Sequence, residues 1–364
     1  MKTFMVLGGG PAAAIEAARL CALGKEVTLI SEQFGGCMEI MGERRLQSYC
    51  HELTLTGGDI TLDSCMERPA LAPAASEFSD YVRRTLDALP VKKISGKVSW
   101  FTKENDRFRC HVTTANGERH LYADGLVLAT GIRARPVPAI FSLMDPITCF
   151  EAYNLFREND ARLKQYRRVV ILGGGNTAFQ LADCAASLGI ETTILAKSYL
   201  GIFPQETQDR FALRAPSQLT IERIWKSQND KNMAPLAFHI YSSLYADGER
   251  LHIWLQEARN QIHIARLCWQ ALPGNGDDAT AKMLPIAKAG TLFISAIGTT
   301  GNLPPNGFRQ LQLDKQGFLP NRRGRTAIAG LYVAGALAGA KSVNTMIETE
   351  YGHEKQNAVG EFRL

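Results

Sequence analysis

Two glycine triplets, 165 residues apart, are the residues of this sequence whose type and spacing point most directly to chemistry. Residues 6–32 read VLGGGPAAAIEAARLCALGKEVTLISE, and residues 171–197 read ILGGGNTAFQLADCAASLGIETTILAK, with ten identities in 27 aligned positions. A glycine turn between a strand and a helix lets the backbone approach a pyrophosphate, which then lies at the helix N-terminus. The repeat therefore predicts two dinucleotide-binding units, each built as strand, glycine turn, helix and strand.

The last residue of each repeat differs in charge. Glu32 ends the first copy and Lys197 the second. A carboxylate at this position accepts hydrogen bonds from an adenosine ribose and repels a 2′-phosphate, whereas a cation suits that phosphate. The first unit is thus predicted to bind FAD and the second NADPH, although Lys197 is also compatible with a solvated lysine at a strand end. The candidate contacts in the two turns are Gly8, Gly10, Pro11 and Ala12 for FAD, and Gly173, Gly175, Asn176 and Thr177 for NADPH.

Four further segments complete a resemblance to the thioredoxin reductase-like branch of the pyridine nucleotide-disulphide oxidoreductase family. They are Gly35-Gly36, YADGLVLATG at 122–131, TLFISAIG at 291–298 and GLYVAGA at 330–336. The resemblance implies an α/β fold with two Rossmann-like dinucleotide-binding domains (the FAD/NAD(P)-binding fold), the second inserted in the first. The FAD domain would comprise 1–145 and 290–364, and the NAD(P) domain 146–289. It also implies FAD contacts at Gly36, Ala129, Thr130, Gly131, Gly335, Ala336, Asn344 and Thr345.

Asn344 and Thr345 begin a helix-like run at the position where the family directs a helix N-terminus at the flavin ring. The positive end of such a helix stabilises an anionic reduced flavin. Residue 336 departs from the family pattern, because Ala336 replaces the usual Asp that accepts a hydrogen bond from the ribityl chain. Loss of one hydrogen bond costs about 1 kcal/mol, so FAD binding can survive it.

The cysteines depart further from the family pattern. The eight cysteines are scattered, and none forms the CxxC or CxxxxC pair that the dithiol enzymes of the family carry. A dithiol relay needs two neighbouring thiols, so disulfide reduction by that route is not expected. Cys37 follows Gly35-Gly36 and is the one candidate catalytic cysteine, since a helix N-terminus would lower its pKa. The alternative is a small thiol that packs a loop.

Composition excludes several other classes of protein. The chain has 364 residues, 45% hydrophobic and 21% charged, with a net charge of +5. That balance fits a folded two-domain protein, and no basic run is dense enough to indicate nucleic acid binding. The sequence contains no apolar stretch of the ~18 residues that a membrane helix needs, no signal peptide and no metal-ligand cluster. We therefore expect a cytoplasmic protein with small-molecule substrates, no metal and no membrane partner; a homodimer is left open.

The function predicted from these features is an FAD-dependent oxidoreductase. Hydride would pass from NADPH to the flavin and then to an unidentified acceptor, without a CxxC dithiol relay. Two alternatives stay open: an FAD-dependent oxidase of an amine or another small metabolite with a vestigial NAD(P) domain, and a non-catalytic flavin-binding subunit of a complex. Residues 200–235 match no motif of the family and are where specificity could lie.

Overall fold

The protein forms two compact units. The computed structural model describes residues 2–46, 48–55, 60–66, 72–197, 233–255, 283–340 and 346–347. Unit 1 comprises Met1–Arg133 and Thr299–Leu364, and unit 2 comprises Ala134–Gly298. Unit 2 is therefore inserted in the sequence of unit 1. No helix within the described ranges is both long and apolar enough to cross a bilayer.

Seventeen strands and six α-helices are described. The first part of the chain contains β1 (Thr3–Leu7), α1 (Pro11–Ala22), β2 (Glu26–Ser31), α2 (Cys50–Leu53), α3 (Ala75–Ala88), β3 (Lys92–Ser95), β4 (Lys97–Glu104), β5 (Arg107–Thr114), β6 (Gly117–Ala123), β7 (Gly125–Leu128), β8 (Ile132–Ala134), α4 (Ala139–Ser142), β9 (Ile147–Thr148) and α5 (Cys149–Arg157). The remainder contains β10 (Arg168–Leu172), α6 (Asn176–Ser187), β11 (Glu191–Ala196), β12 (Leu236–Ala246), β13 (Arg250–Leu255), β14 (Met283–Ala287), β15 (Thr291–Ser295), β16 (Thr299–Gly301) and β17 (Leu331–Val333). Short 3₁₀ turns occupy Cys37–Met41, Asp63–Cys65, Ala161–Gln165 and Gly335–Ala338.

The central sheet of unit 1 is parallel, with the strand order β17-β7-β1-β2-β3. Four of the five residues of β1 and all four of β7 are buried. Continuous apolar strands are typical of a parallel sheet covered on both faces. Ala13 and Ala17 of α1 are fully buried, because small side chains let this helix pack closely on the sheet. A separate antiparallel sheet of β4, β5 and β6 belongs to the same unit.

The sheet of unit 2 has seven strands in the order β14-β13-β12-β11-β10-β15-β9. The strands from β12 to β9 are parallel. Strand β13 pairs antiparallel with β12, and β14 pairs antiparallel with β13 at the edge of the sheet. Phe238–Leu244 and Leu251–Leu255 lie on either side of Asp247-Gly248, a sequence pattern that predicts a hairpin, and the β12–β13 pair confirms it. Its turn is held by Asp247, whose Oδ1 accepts the backbone N–H groups of Glu249 and Arg250 at 3.0 and 2.8 Å.

The sequence repeat is also a repeat of strand register. Thr3 pairs with Glu26 in unit 1, and Arg168 pairs with Glu191 in unit 2. Each residue of the second pair lies 165 positions after its counterpart in the first pair. The order β3-β2-β1-β7-β17 is that of a doubly wound dinucleotide-binding sheet, and β12-β11-β10-β15 repeats its first four positions. The α/β fold with two Rossmann-like domains is thus observed.

The boundaries of the units differ from those predicted at 145 and 290. Phe141 of α4 is fully buried and packs edge-on against Phe293 of β15, with ring centroids 5.7 Å apart. Strand β15 itself lies between β10 and β9 in the sheet of unit 2. Residues 134–145 and 290–298 therefore belong to unit 2, because their apolar side chains and backbone hydrogen bonds complete its core and sheet.

Candidate cofactor sites

The first glycine turn lies at the carboxyl end of β1. The N–H of Ala129 donates to the carbonyl of Leu7 at 2.8 Å, which draws the end of β7 against this turn. Gly8 has a φ of +132°, and a Cβ built on it would stand 2.1 Å from the carbonyl oxygen of Ala129. Only glycine fits this position, since any side chain would collide with backbone. The predicted site residues Gly8 and Ala129 are thus in contact.

Helix α1 begins directly after this turn with no side chain covering its N-terminus. Gly10 is the N-cap, no side chain caps it, Pro11 occupies the first turn, and no acidic residue lies in that turn. The first N–H groups of a helix and its positive dipole end bind anions when nothing else occupies them. The turn therefore fits the diphosphate of a dinucleotide.

Two distant segments close around this helix end. A Cβ on Gly36 would stand 3.2 Å from the Cα of Gly10 and from the Cδ of Pro11, and a Cβ on Gly335 would stand 2.6 Å from the Cβ of Ala12. The structure thus brings the 35–36 turn and the end of β17 onto the first glycine turn, as the resemblance implies. Small residues at these contacts leave backbone, rather than side chains, facing the helix end.

The second glycine turn repeats the first at the end of β10. Gly173 has a φ of +142°, and its Cβ would stand 2.2 Å from the carbonyl oxygen of Ala296. Gly175 is the N-cap of α6 without a side-chain cap, and Asn176 and Thr177 form the first turn of that helix. This second helix end has the same chemistry as the first, so unit 2 also fits a dinucleotide diphosphate.

The two residues predicted to choose the nucleotide occupy equivalent places. Glu32 directly follows β2 and Lys197 directly follows β11, and both side chains are exposed. One carboxylate and one ammonium group therefore stand at the same point of two matching βαβ units. The serine after Lys197, at position 198, lies outside the described residues.

The end of β7 holds a pair that the sequence did not single out. The side chains of Thr130 and Asn302 each donate to the other residue's backbone carbonyl: the Thr130 hydroxyl donates to Asn302, and the Asn302 amide donates to Thr130 at 3.4 Å. In addition, the backbone N–H of Asn302 donates to the carbonyl of Gly131 at 3.0 Å. These bonds fix the predicted FAD-binding segment 129–131 to the chain that follows β16. No local motif announces the contact, because the two residues are 172 positions apart.

The other predicted FAD contacts are placed in part. Ala336 lies half-buried in the turn Gly335–Ala338, and its methyl group offers no acceptor for a ribityl hydroxyl. Asn344 and Thr345 lie outside the described residues, so the predicted helix N-terminus at the flavin ring stays a prediction.

Cys37 does not have the properties of a reactive cysteine. Cys37 is the first residue of the short turn Cys37–Met41, and its side chain is exposed. The surrounding protein raises the pKa of the Cys37 thiol by desolvation, and a backbone hydrogen bond lowers this pKa by a smaller amount. The expected lowering by a helix N-terminus is therefore not found, since one turn of 3₁₀ helix does not offset the desolvation. Cys21, Cys37, Cys65 and Cys110 are free, and no three metal-ligating side chains cluster in the described ranges.

His239 is a buried ionisable group in unit 2 that sequence patterns did not indicate. It lies on β12 opposite Leu195, one residue before β11 ends, and it is 8% exposed. Burial lowers its pKa from 6.5 to about 4, so the imidazole is neutral at pH 7. A strand histidine among apolar residues carries no signal of its burial in the sequence alone.

The family model for pyridine nucleotide-disulphide oxidoreductases matches residues 2–217, more than half of the chain. The chain belongs to the pyridine nucleotide-disulphide oxidoreductase family. This family depends on flavin and pyridine nucleotide. The predicted membership of the pyridine nucleotide-disulphide oxidoreductase family is thereby confirmed.

A curated relative and several solved structures are similar to this oxidoreductase. The ferredoxin–NAD(+) reductase component of a 3-phenylpropionate/cinnamic acid dioxygenase from Photorhabdus laumondii is 24% identical over 197 residues, 54% of this chain and 44% of that relative. The match therefore spans less than half the length of that relative.

Three solved structures share the fold over nearly the whole chain. The bacillithiol disulfide reductase Bdr from Bacillus cereus has a TM-score of 0.66 at 16% identity, covering 99% of both chains. The ornithine N-hydroxylase KtzI from Kutzneria sp. has a TM-score of 0.68 at 13% identity, covering 98% of this chain and 100% of that one. The thioredoxin reductase from Lactococcus lactis has a TM-score of 0.59 at 15% identity, covering 99% of both. At these identities the similarity establishes the fold of the oxidoreductase and not its substrate.

Proposed function

We propose that this protein binds FAD in unit 1 and NADPH in unit 2, and that it transfers reducing equivalents from NADPH through the flavin to an acceptor without a dithiol relay. The observation that carries the proposal is the pair of matching glycine turns, Gly8–Gly10 and Gly173–Gly175, each followed by a helix without a side-chain cap. A bound flavin supplies the ability to accept hydride from NADPH and to pass the two electrons on.

The residues of unit 1 support FAD rather than a phosphorylated nucleotide. The N–H groups at the start of α1 would bind the diphosphate, and Glu32 would accept hydrogen bonds from the adenosine ribose. The Thr130–Asn302 pair would hold the end of β7 in place beside this turn. These contacts come from three segments far apart in the sequence, so the FAD site needs the folded unit 1.

The residues of unit 2 support NADPH. Helix α6 presents its N-terminus after Gly175, and Lys197 stands where a 2′-phosphate would lie in such a unit. The absence of a dithiol relay is supported by the lack of a CxxC or CxxxxC pair in the sequence and by the raised pKa of Cys37. Both features support an acceptor other than a protein disulfide.

Anaerobic reduction of the purified protein tests the proposal. Denaturation should release one FAD per chain, and NADPH should bleach the bound flavin faster than NADH at equal low concentration. If the protein neither contains FAD nor takes it up when FAD is added, the FAD assignment is wrong. Bleaching by an amine or another metabolite but not by NADPH would instead identify an oxidase, and the absence of any turnover would identify a non-catalytic subunit.

A further inference from the structure

One stretch of unit 1 carries a net positive charge. Residues 303–326 contain five basic side chains and one acidic side chain, a net +4 within a chain whose total is +5. The single acid, Asp314, uses its Oδ1 to accept the N–H groups of Gln316 and Phe318 at 2.8 and 3.0 Å. The basic side chains are Arg309, Lys315, Arg322, Arg323 and Arg325, all of them exposed.

Three of these arginines lie on a rigid turn, which we call the arginine turn (322–325). Arg322 and Arg325 exchange backbone hydrogen bonds of 2.9 and 3.1 Å, so that the two residues between them close a hairpin. Arg323 and Gly324 both have positive φ, +52° and +73°, the signature of a type I′ turn. The Asn321 side chain accepts the N–H of Gly324 at 3.0 Å and fixes the turn from the other side.

The arginine turn is hydrogen-bonded to the segment predicted to contact the flavin. The Asn321 amide donates to the carbonyl of Ala338 at 3.0 Å, and the N–H of Leu319 donates to the carbonyl of Leu337 at 2.8 Å. The N–H of Val333 in turn donates to the carbonyl of Gly324 at 2.8 Å. The backbone of the arginine turn therefore lies beside the segment Gly335–Ala338.

The guanidinium groups of Arg322 and Arg323 have no carboxylate partner among the described residues. Exposed side chains on a turn do not enclose a ligand, whereas small-molecule sites are concave and bury most of their ligand. Exposed guanidinium groups suit carboxylates spread over a protein surface and steer such a surface during association.

We propose that the arginine turn is the docking surface for an acidic electron-carrier protein that accepts electrons from this enzyme. This inference rests on the proposed function and names its acceptor class. The overall reaction balances with a one-electron carrier: NADPH and two oxidised carrier molecules give NADP⁺, two reduced carrier molecules and one proton.

Substitutions at Arg323 test the surface without breaking the turn. Asn-Gly and Asp-Gly are the preferred dipeptides of type I′ turns, so Arg323→Asn removes one charge and Arg323→Asp reverses it while the backbone is retained. Arg119→Glu is the matched control, since Arg119 is exposed on β6 of the same unit. The probe is the soluble domain of cytochrome b5, an acidic one-electron haem protein, and cytochrome c is the basic comparator.

The proposal predicts a graded loss. At low ionic strength the KM for cytochrome b5 should rise about threefold in Arg323→Asn and about tenfold in Arg323→Asp, with no rise in Arg119→Glu. The differences should vanish at salt on the order of 0.5 M, where charges are screened within a few ångströms. The KM for cytochrome c should not rise in any variant.

Two further measurements separate this proposal from the function on which it rests. Anaerobic flavin reduction by NADPH should be the same in all variants, and its absence in the wild type would contradict the proposed function alone. Calorimetric titration with cytochrome b5 measures binding without turnover. It therefore tests the docking surface whether or not NADPH reduces the flavin. An equal Kd for wild type and Arg323→Asp, or an equal loss in Arg119→Glu, would overturn the docking surface.

Discussion

The carbonyl oxygen of Ala129 occupies the space that a side chain on Gly8 would need, with 2.1 Å between that oxygen and an added Cβ. The same relationship recurs between Gly173 and Ala296 at 2.2 Å. Each contact brings the end of a neighbouring strand against a glycine turn. The two turns are therefore built identically, and the two units can be disabled one at a time.

Gly8→Ala should abolish FAD binding, whereas Gly173→Ala should leave the FAD content intact and abolish reduction by NADPH. Each alanine would be forced into a positive φ and into backbone, which we expect to cost at least about 2 kcal/mol of local stability. Flavin content after gel filtration and the rate of anaerobic bleaching measure the two effects separately. Loss of both properties in both variants would mean that the units do not fold independently.

Gly24→Ala provides the matched control for these substitutions. Gly24 also has a positive φ, +65°, but a Cβ there would meet nothing within 4 Å. The expected cost is only about 1 kcal/mol of conformational strain, and both FAD content and NADPH reduction should persist. If Gly24→Ala also lacked FAD, the loss of FAD in Gly8→Ala would be explained by backbone strain and not by the collision with Ala129.

Lys197→Glu should erase the preference for NADPH. An exposed ion pair is worth about 1 kcal/mol or less, so we expect a preference of roughly fivefold for NADPH over NADH in the wild type. The variant should reverse it by like-charge repulsion while the FAD content stays unchanged. Flavin reduction rates at nucleotide concentrations below saturation measure the preference. Equal rates with both nucleotides in both proteins would show that Lys197 is only a solvated strand end.

Cys37→Ser should leave flavin reduction by NADPH within about twofold of the wild-type rate. Because the surrounding protein raises the pKa of Cys37, we expect that its thiol does not act as a nucleophile. We also expect no thiolate–flavin charge-transfer absorbance in the two-electron-reduced protein at pH 7. A long-wavelength band that disappears in the variant would contradict this assignment.

His239 should make the protein lose stability as the pH falls below 6.5. Burial lowers the pKa of His239 from 6.5 to about 4. Between these two values the imidazole is protonated in the unfolded chain and neutral in the folded protein. Between pH 6.5 and pH 5 this difference removes roughly 2 kcal/mol from the free energy of unfolding. Denaturant unfolding of wild type and His239→Gln at both pH values measures it. An equal pH dependence in the two proteins would show that His239 does not titrate in this way.

The glycine turns, the flanking strands and helices and the β12–β13 hairpin were predicted from the sequence because each depends on residues close together in the chain. A run such as Met5–Leu7 before Gly8 sets strand, turn and helix locally, and the second copy, with its own strand before Gly173, repeats the same signals. The charge contrast between Glu32 and Lys197 is also a property of sequence, since strand register carries both to equivalent positions.

Only the tertiary structure decided which distant segments meet. Three features depend on strand order and packing: the contact of Gly335 with Ala12, the hydrogen bonds between Thr130 and Asn302, and the inclusion of Phe141 in the core of unit 2. Burial likewise lowers the pKa of His239, because desolvation is a property of the surrounding fold. Local backbone preferences act over a few residues, whereas these contacts join residues that the chain separates by a hundred positions or more.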